Sequence, residues 1–230
     1  MENDLLYQIY FNDTTKAHIS AHATPLNNTW HPGKPLEPAF ESHAIRNVFD
    51  SGRHVGYDRV GILSWAVEQK NWCKLEDFLR PTDADVTTCF WYNWGAVPYW
   101  DYMDLHHPGI ISMAQDCLAL AGRPMDLGAI HAPPIYQNAH VTKTAVYERY
   151  VREWLAPVMD VMFDPVNKKL AARLNQNSGY KMNLNGKPQY NKAALTKVTG
   201  RPYYTYHTVI CELLFPTFLH MNPQYTVNVL

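Results

Sequence analysis

The sequence predicts an α/β chain built on a mostly parallel sheet flanked by helices. Short apolar runs rich in β-branched and aromatic residues alternate with stretches of helical periodicity, and no internal repeat is present. The composition is 47% hydrophobic and 18% charged, with seven Trp and fifteen Tyr, which excludes a disordered chain and a coiled coil. Its 230 residues suit one domain, 1–230, with a basic, polar excursion at about 165–203.

Leu5 to Phe11 reads as a buried first strand that stops at the Asn12-Asp13 turn signal. Residues 21–38 carry four prolines and read as a loop. Phe40 to Asp50 places Phe40, Ala44 and Val48 at helical spacing, with Ser51-Gly52 as the stop. Arg59 to Trp65 and Val86 to Tyr92 are further strands, separated by a helix-compatible stretch over Ala66 to Leu79. His107-Pro108-Gly109 reads as a helix start with Pro108 at the first position, and Gly122 as its stop. Leu127 to His131 and Tyr136 to Thr142 are strand pieces, and Thr144 to Met162 is a helix broken near Pro157. A last helix spans Thr205 to His220, with Pro216 expected to kink it or end it early.

Net charge is −1, but residues 165–202 hold eight cations and no acid, leaving nine net negative charges elsewhere. Such asymmetry points to an anionic partner, whether a diphosphate, a phosphorylated acceptor or nucleic acid, or else to a solvated basic loop. The N-terminus is acidic where an export signal is basic, and no apolar run reaches bilayer length, so a cytoplasmic protein with no membrane span is expected. Cys73, Cys89, Cys117 and Cys211 are widely separated and form no disulfide framework, which agrees with a reducing compartment.

Several short blocks, taken in order, resemble bacterial and phage glycosyltransferase-like proteins of the capsular polysaccharide type. They are Tyr7 to Phe11, Gly61 to Trp65 followed by Glu68 and Lys70, Asp85 to Asn93, His106 to Ile110, Gln137 to Val141, and Cys211 to Phe215. The resemblance implies a GT-A-like, Rossmann-like fold and transfer of a sugar from a nucleotide-sugar donor to an acceptor hydroxyl. The acceptor is a glycan or, given the basic segment, a DNA base.

Such chemistry needs a nucleoside diphosphate site, a means of offsetting charge on the leaving group, and a carboxylate base in an inverting enzyme. Open α/β sheets bind ligands beyond the carboxyl ends of their strands, which nominates Gln8, Tyr10, Asn12, Ser64 and Trp65 for the donor. His106 and His107, at the expected helix start, are phosphate candidates. Gln137 and Asn138 carry amides able to bond sugar hydroxyls. Glu212 is an acid inside an apolar helical run, and His207 precedes it by about a turn and a half; these are the catalytic candidates. Asp83 and Asp85 form an Asp-x-Asp that could hold Mn or Mg, but they precede a strand instead of following one, which favours a pre-strand turn. Lys181 and Lys187 could clamp phosphate in the metal's place. Each aromatic candidate also reads as ordinary core, and each polar one as a satisfied structural group.

Two other readings stand beside the transferase. A catalytically inert protein could sequester a nucleotide or nucleotide sugar. A metallohydrolase could join His106-His107 with Asp101, Asp104, His131 or His140, although no HExxH-type spacing is present.

Overall fold

The computed structural model describes residues 3–28, 38–71, 73–89, 97–132, 135, 138–179 and 191–230. Gln137, Lys181, Lys187 and the distal part of the strand expected over Val86 to Tyr92 lie outside the described residues.

The chain is α/β, with a six-stranded, mostly parallel sheet flanked by helices. Its strands are β1 (Asp4–Tyr10), β2 (Thr24–Asn27), β3 (Arg59–Ser64), β4 (Val86–Thr88), β7 (His140–Lys143) and β8 (Val227–Val229), while β5 (Val97–Pro98) and β6 (His131–Ala132) form a separate pair. The order across the sheet is β2-β1-β3-β7-β4-β8. Every neighbour pairing is parallel except the two made by β7, which runs against both β3 and β4. From β1 the chain first adds β2 on one side and then β3 on the other, so the order reverses at β1/β3, where an open sheet leaves a crevice.

Short helices α1 (Asp13–Lys16), α2 (Glu41–Asp50) and α3 (Val67–Asn71) connect the first strands. They are followed by α4 (Tyr99–His106), α5 (Ile110–Leu120), α6 (Thr144–Tyr150) and α7 (Ala156–Phe163), then by α8 (Lys168–Leu174), α9 (Lys192–Thr199) and α10 (Tyr206–His220).

Alternation along the strands feeds two cores. Leu5, Tyr7 and Ile9 of β1, with Val60 and Ile62 of β3, enter the larger one, which they share with α2, α5, α7 and α10. Leu6, Leu63 and Val141 point the other way, onto Val67, Leu75 and Phe78. Gly61 sits between the strands of that smaller face: a Cβ there would lie 2.6 Å from both Leu6 Cδ1 and Val141 Cγ2. The leucine end can swing aside, but the β-branched valine cannot, so Gly61→Ala is expected to cost about 1–3 kcal/mol in a urea unfolding experiment.

Several sequence expectations change at their boundaries. The stretch over 66–79 is α3 plus a 3₁₀ turn at Leu75–Leu79, not one helix. No break follows Pro157. Instead the helix widens into a π segment at Val151–Leu155 between α6 and α7. Pro157 cannot donate to the Glu153 carbonyl one turn before it, and Arg123 Nε takes that carbonyl at 2.6 Å. Pro216 likewise lies inside α10, which continues to His220 instead of stopping. Nearly the whole helix is buried, so packing outweighs the one bond that proline removes.

His106-His107 does not open a helix. His106 ends α4, His107 caps its C-terminus, and Gly109, at φ 85, is the N-cap of α5. The excursion over 165–203 contains α8 and α9. Its neck is closed where Ser178 donates through N and Oγ to the Tyr204 carbonyl at 2.9 and 3.0 Å.

Candidate functional site

Beyond the carboxyl ends of β1 and β3 lies a cavity of about 330 Å³. One side is built by the β1 and β3 tips: Phe11 and Asn12, then Ser64, Trp65 and Lys70. Phe40 and Glu41 at the start of α2 form another side, and Glu212 of α10 reaches in beside Tyr204. The last wall is α9, which presents Ala194, Leu195 and Val198. Of the donor and catalytic candidates, Asn12, Ser64, Trp65 and Glu212 therefore share one cavity.

The tips are fixed by local hydrogen bonds. Asn12 Oδ1 accepts the Thr15 N–H at 2.8 Å while Thr15 Oγ1 accepts the Asn12 N–H at 3.1 Å, a capping box that turns the chain sharply off β1. Gln8 is buried, and its amide is used at both ends. Nε2 donates to the Trp65 carbonyl at 3.2 Å, and Oε1 accepts the Ser20 N–H at 2.7 Å. It positions the loops that carry the site and does not line the cavity. Tyr10 is half-buried beneath Lys16 Nζ, 5.4 Å from the ring centroid, and is also absent from the wall.

Glu212 is 8% exposed, between the fully buried Val209 and Leu213. His207 does not join it. Five residues of helix turn the two side chains about 140° apart, and the imidazole stacks on Phe163 at 5.1 Å with Nδ1 3.0 Å from Thr205 Oγ1. Burial, then Arg201 and His43, lower its pKa to about 4.

The paired histidines are also elsewhere. A carbonyl only accepts, so His107 donates through Nδ1 to the Ser178 carbonyl at 2.7 Å and pins the excursion's neck. Burial lowers its pKa. The α5 amides expected to hold phosphate are taken by Asp104 Oδ1, at 3.0 Å from Gly109 N and 3.3 Å from Ile111 N. His106 is exposed at a helix C-terminus, the end of the dipole that repels anions.

Asp83 and Asp85 lie at the amino end of β4, the opposite edge of the sheet from the cavity. Asp85 accepts from Thr226 N at 2.9 Å, Thr226 Oγ1 at 3.0 Å and Lys143 Nζ at 3.0 Å, and those bonds hold its pKa below the usual carboxylate range. It staples β8 to β4, and Asp83 accepts from Lys143 Nζ through its backbone carbonyl at 3.0 Å. Asp85→Ala is expected to lower stability by about 1–3 kcal/mol and to expose the β8 strand to carboxypeptidase, read by mass spectrometry. Among the described residues no group of three or more metal-binding side chains is assembled.

Asn138, the described sugar-binding candidate, lies at the end of the sheet where the cavity opens but is not one of the residues that line it. Counting back along the β3–β7 register from Gly61↔Val141 brings it level with Ser64. It is 3% exposed, and neither Oδ1 nor Nδ2 has a partner among the described residues. Its φ is 52°, and the cavity-lining Phe40 has φ 44°; these are the two non-glycine residues with positive φ among those described. A bulky residue held there is strained, and such strain concentrates at functional sites.

Phe40, Glu41 and Tyr204 are site residues that sequence reasoning missed. Phe40 and Glu41 read as an ordinary helix start, and Tyr204 as part of a basic loop; only the fold brings them to the β1 and β3 tips. No helix among the described residues is long and apolar enough to cross a membrane. Comparison with protein-family models, curated proteins and solved structures finds no match.

Proposed function

We propose that this chain is a nucleotide-sugar-dependent glycosyltransferase of GT-A-like fold. The observation that carries the reading is the meeting of Asn12, Ser64 and Trp65, at the switch point of a mostly parallel sheet, with the buried carboxylate of Glu212. In a single-displacement transfer, Glu212 takes the proton of the acceptor hydroxyl as that oxygen bonds to the anomeric carbon. The bond to the nucleoside diphosphate breaks at the same centre, and the diphosphate leaves with the electron pair. Lys70, in the same wall, is the side chain suited to offset the charge that develops there.

A thermal-shift screen against UDP-, GDP- and dTDP-sugars, with and without manganese, followed by assay of nucleoside diphosphate release, tests the proposal. A donor that raises the melting temperature and is turned over supports it. A donor that binds without turnover favours the sequestering reading, and silence across the panel in both assays removes the transferase.

A further inference from the structure

We infer that Cys73 and Cys89 are a site of reversible oxidation, a thiol pair that hydroperoxides convert to a disulfide; the inference stands apart from the transferase reading. All four cysteines are free thiols. Residues 74–88 separate these two in the chain, and the fold closes that loop so that the Cys89 thiol donates a hydrogen bond to Cys73 Sγ. Cys89 follows β4 and is 3% exposed within the smaller core. Cys73 is half-buried and packs against the same cluster from the corner between α3 and the 3₁₀ turn.

Both sides of the pair are held by the surrounding chain. Glu68 Oε1 accepts the Leu75 N–H at 2.8 Å and Asp77 Oδ2 accepts the Lys74 N–H at 2.9 Å, which fixes the corner that carries Cys73. Leu75 and Phe78 of the turn are fully buried, and Arg59 Nη2 donates to the Phe78 carbonyl at 3.2 Å and to Thr87 Oγ1 at 2.9 Å, which ties the turn to β4. Thr88 Oγ1 donates to the Ala139 carbonyl at 2.8 Å, and the Thr88 carbonyl accepts the Leu230 N–H at 2.9 Å, so the strand end before Cys89 is fixed as well. Two thiols positioned in this way react as an intramolecular pair at high effective concentration.

The arrangement divides the roles. The hydrogen bond from Cys89 holds the half-exposed Cys73 thiol below its ordinary pKa, against burial and the nearby Asp77 and Glu68 carboxylates. That bond and burial together push the Cys89 thiol up. Cys73, the better thiolate, is therefore the attacking sulfur. Its Sγ bonds to one oxygen of the hydroperoxide as the O–O bond breaks, and the departing oxygen leaves with the electron pair and takes up the proton that Cys73 released. Cys89 Sγ then bonds to the Cys73 sulfur, the S–O bond breaks, and the hydroxyl leaves as water with the Cys89 proton. The two thiols give up two electrons and the peroxide accepts them. Cys117 and Cys211 are fully buried, and burial pushes both thiols up, Cys117 to about 12, so they stay out of the reaction. The bridge joins the end of β4 to the chain that leaves the cavity wall at Lys70.

The test is titration of the folded, full chain with hydrogen peroxide at pH 7.5. Remaining thiols are trapped by N-ethylmaleimide under denaturing conditions, and the cysteines are mapped by peptide mass spectrometry. One bridge, Cys73 to Cys89, is expected, with Cys117 and Cys211 recovered as alkylated thiols and the bridge reversed by dithiothreitol. Loss of the Cys73 thiol should run at least about tenfold faster than loss of Cys117 or Cys211. In Cys89→Ala the reaction should stop at a Cys73 sulfenic acid that dimedone traps, and in Cys73→Ser the Cys89 thiol should survive the same treatment. The wild-type map carries the result even where a variant folds poorly. Recovery of both thiols after peroxide, bridges shared indiscriminately with Cys117 or Cys211, or oxidation of Cys89 at an unchanged rate in folded Cys73→Ser overturns the inference.

Discussion

Glu212→Gln is expected to cut sugar transfer by roughly 10²–10⁴ in kcat while leaving donor binding and the fold intact. The substitution keeps the shape of the side chain while removing its negative charge and its capacity to take a proton. Because the site is closely packed, 8% exposed between Val209 and Leu213, a larger change would confuse lost chemistry with lost packing. The informative comparison is therefore kcat against donor-induced thermal shift in the same variant. A drop in kcat at unchanged shift assigns the base to Glu212, and unchanged kcat takes that role from it. Glu41→Gln, in the same cavity, is expected to retain turnover.

Mild acid is expected to destabilise the protein strongly. Burial lowers the pKa of His43 and His207 to about 4 and that of His140 to about 3, from an ordinary 6.5. Nearby Arg46 adds to the effect at His43, and Arg201 and His43 add to it at His207. Above pH 6.5 these rings are neutral whether the chain is folded or not, and they contribute nothing to the pH dependence. Below it the unfolded chain takes up protons first, and the native state loses about 1.4 kcal/mol per pH unit per ring until the folded values are reached. At pH 5.5 the three together amount to a loss on the order of 4 kcal/mol. Urea unfolding at pH 7.5 and 5.5 measures it. His140 stacks on Phe215 at 3.6 Å, and its Nδ1 has no partner among the described residues, so His140→Phe should keep the packing and remove about a third of the acid loss. An equal loss in wild type and variant would place the titration elsewhere.

The parts of this fold legible in sequence are those decided locally. β1 and β3 are short apolar runs with clear turn signals, and they lie within one residue of where the pattern puts them. Glu212 stood out because an acid amid Val209, Ile210, Leu213 and Leu214 needs a reason to be there. What was hidden depends on distant chain. Nothing in His140–Lys143 says that this strand runs against its neighbours, since periodicity carries no direction. His107-Pro108-Gly109 has the chemistry of a helix start, but Asp104 five residues before Gly109 takes the amides and moves the boundary. Pro157 reads as a break, but the remedy is a π segment and Arg123, 30 residues before the Glu153 carbonyl that it takes. The strain at Phe40 is imposed by surroundings that no local pattern encodes.

Backbone hydrogen exchange with and without the best nucleotide sugar from the donor panel locates the ligand directly. Protection is expected at Phe11 to Lys16, at Ser64 to Lys70 and along the N-terminal half of α10, with the β4–β8 edge around Asp85 unchanged. Protection confined to that edge, or to α4 and α5 around His106 and His107, would contradict a donor seated at the β1 and β3 tips.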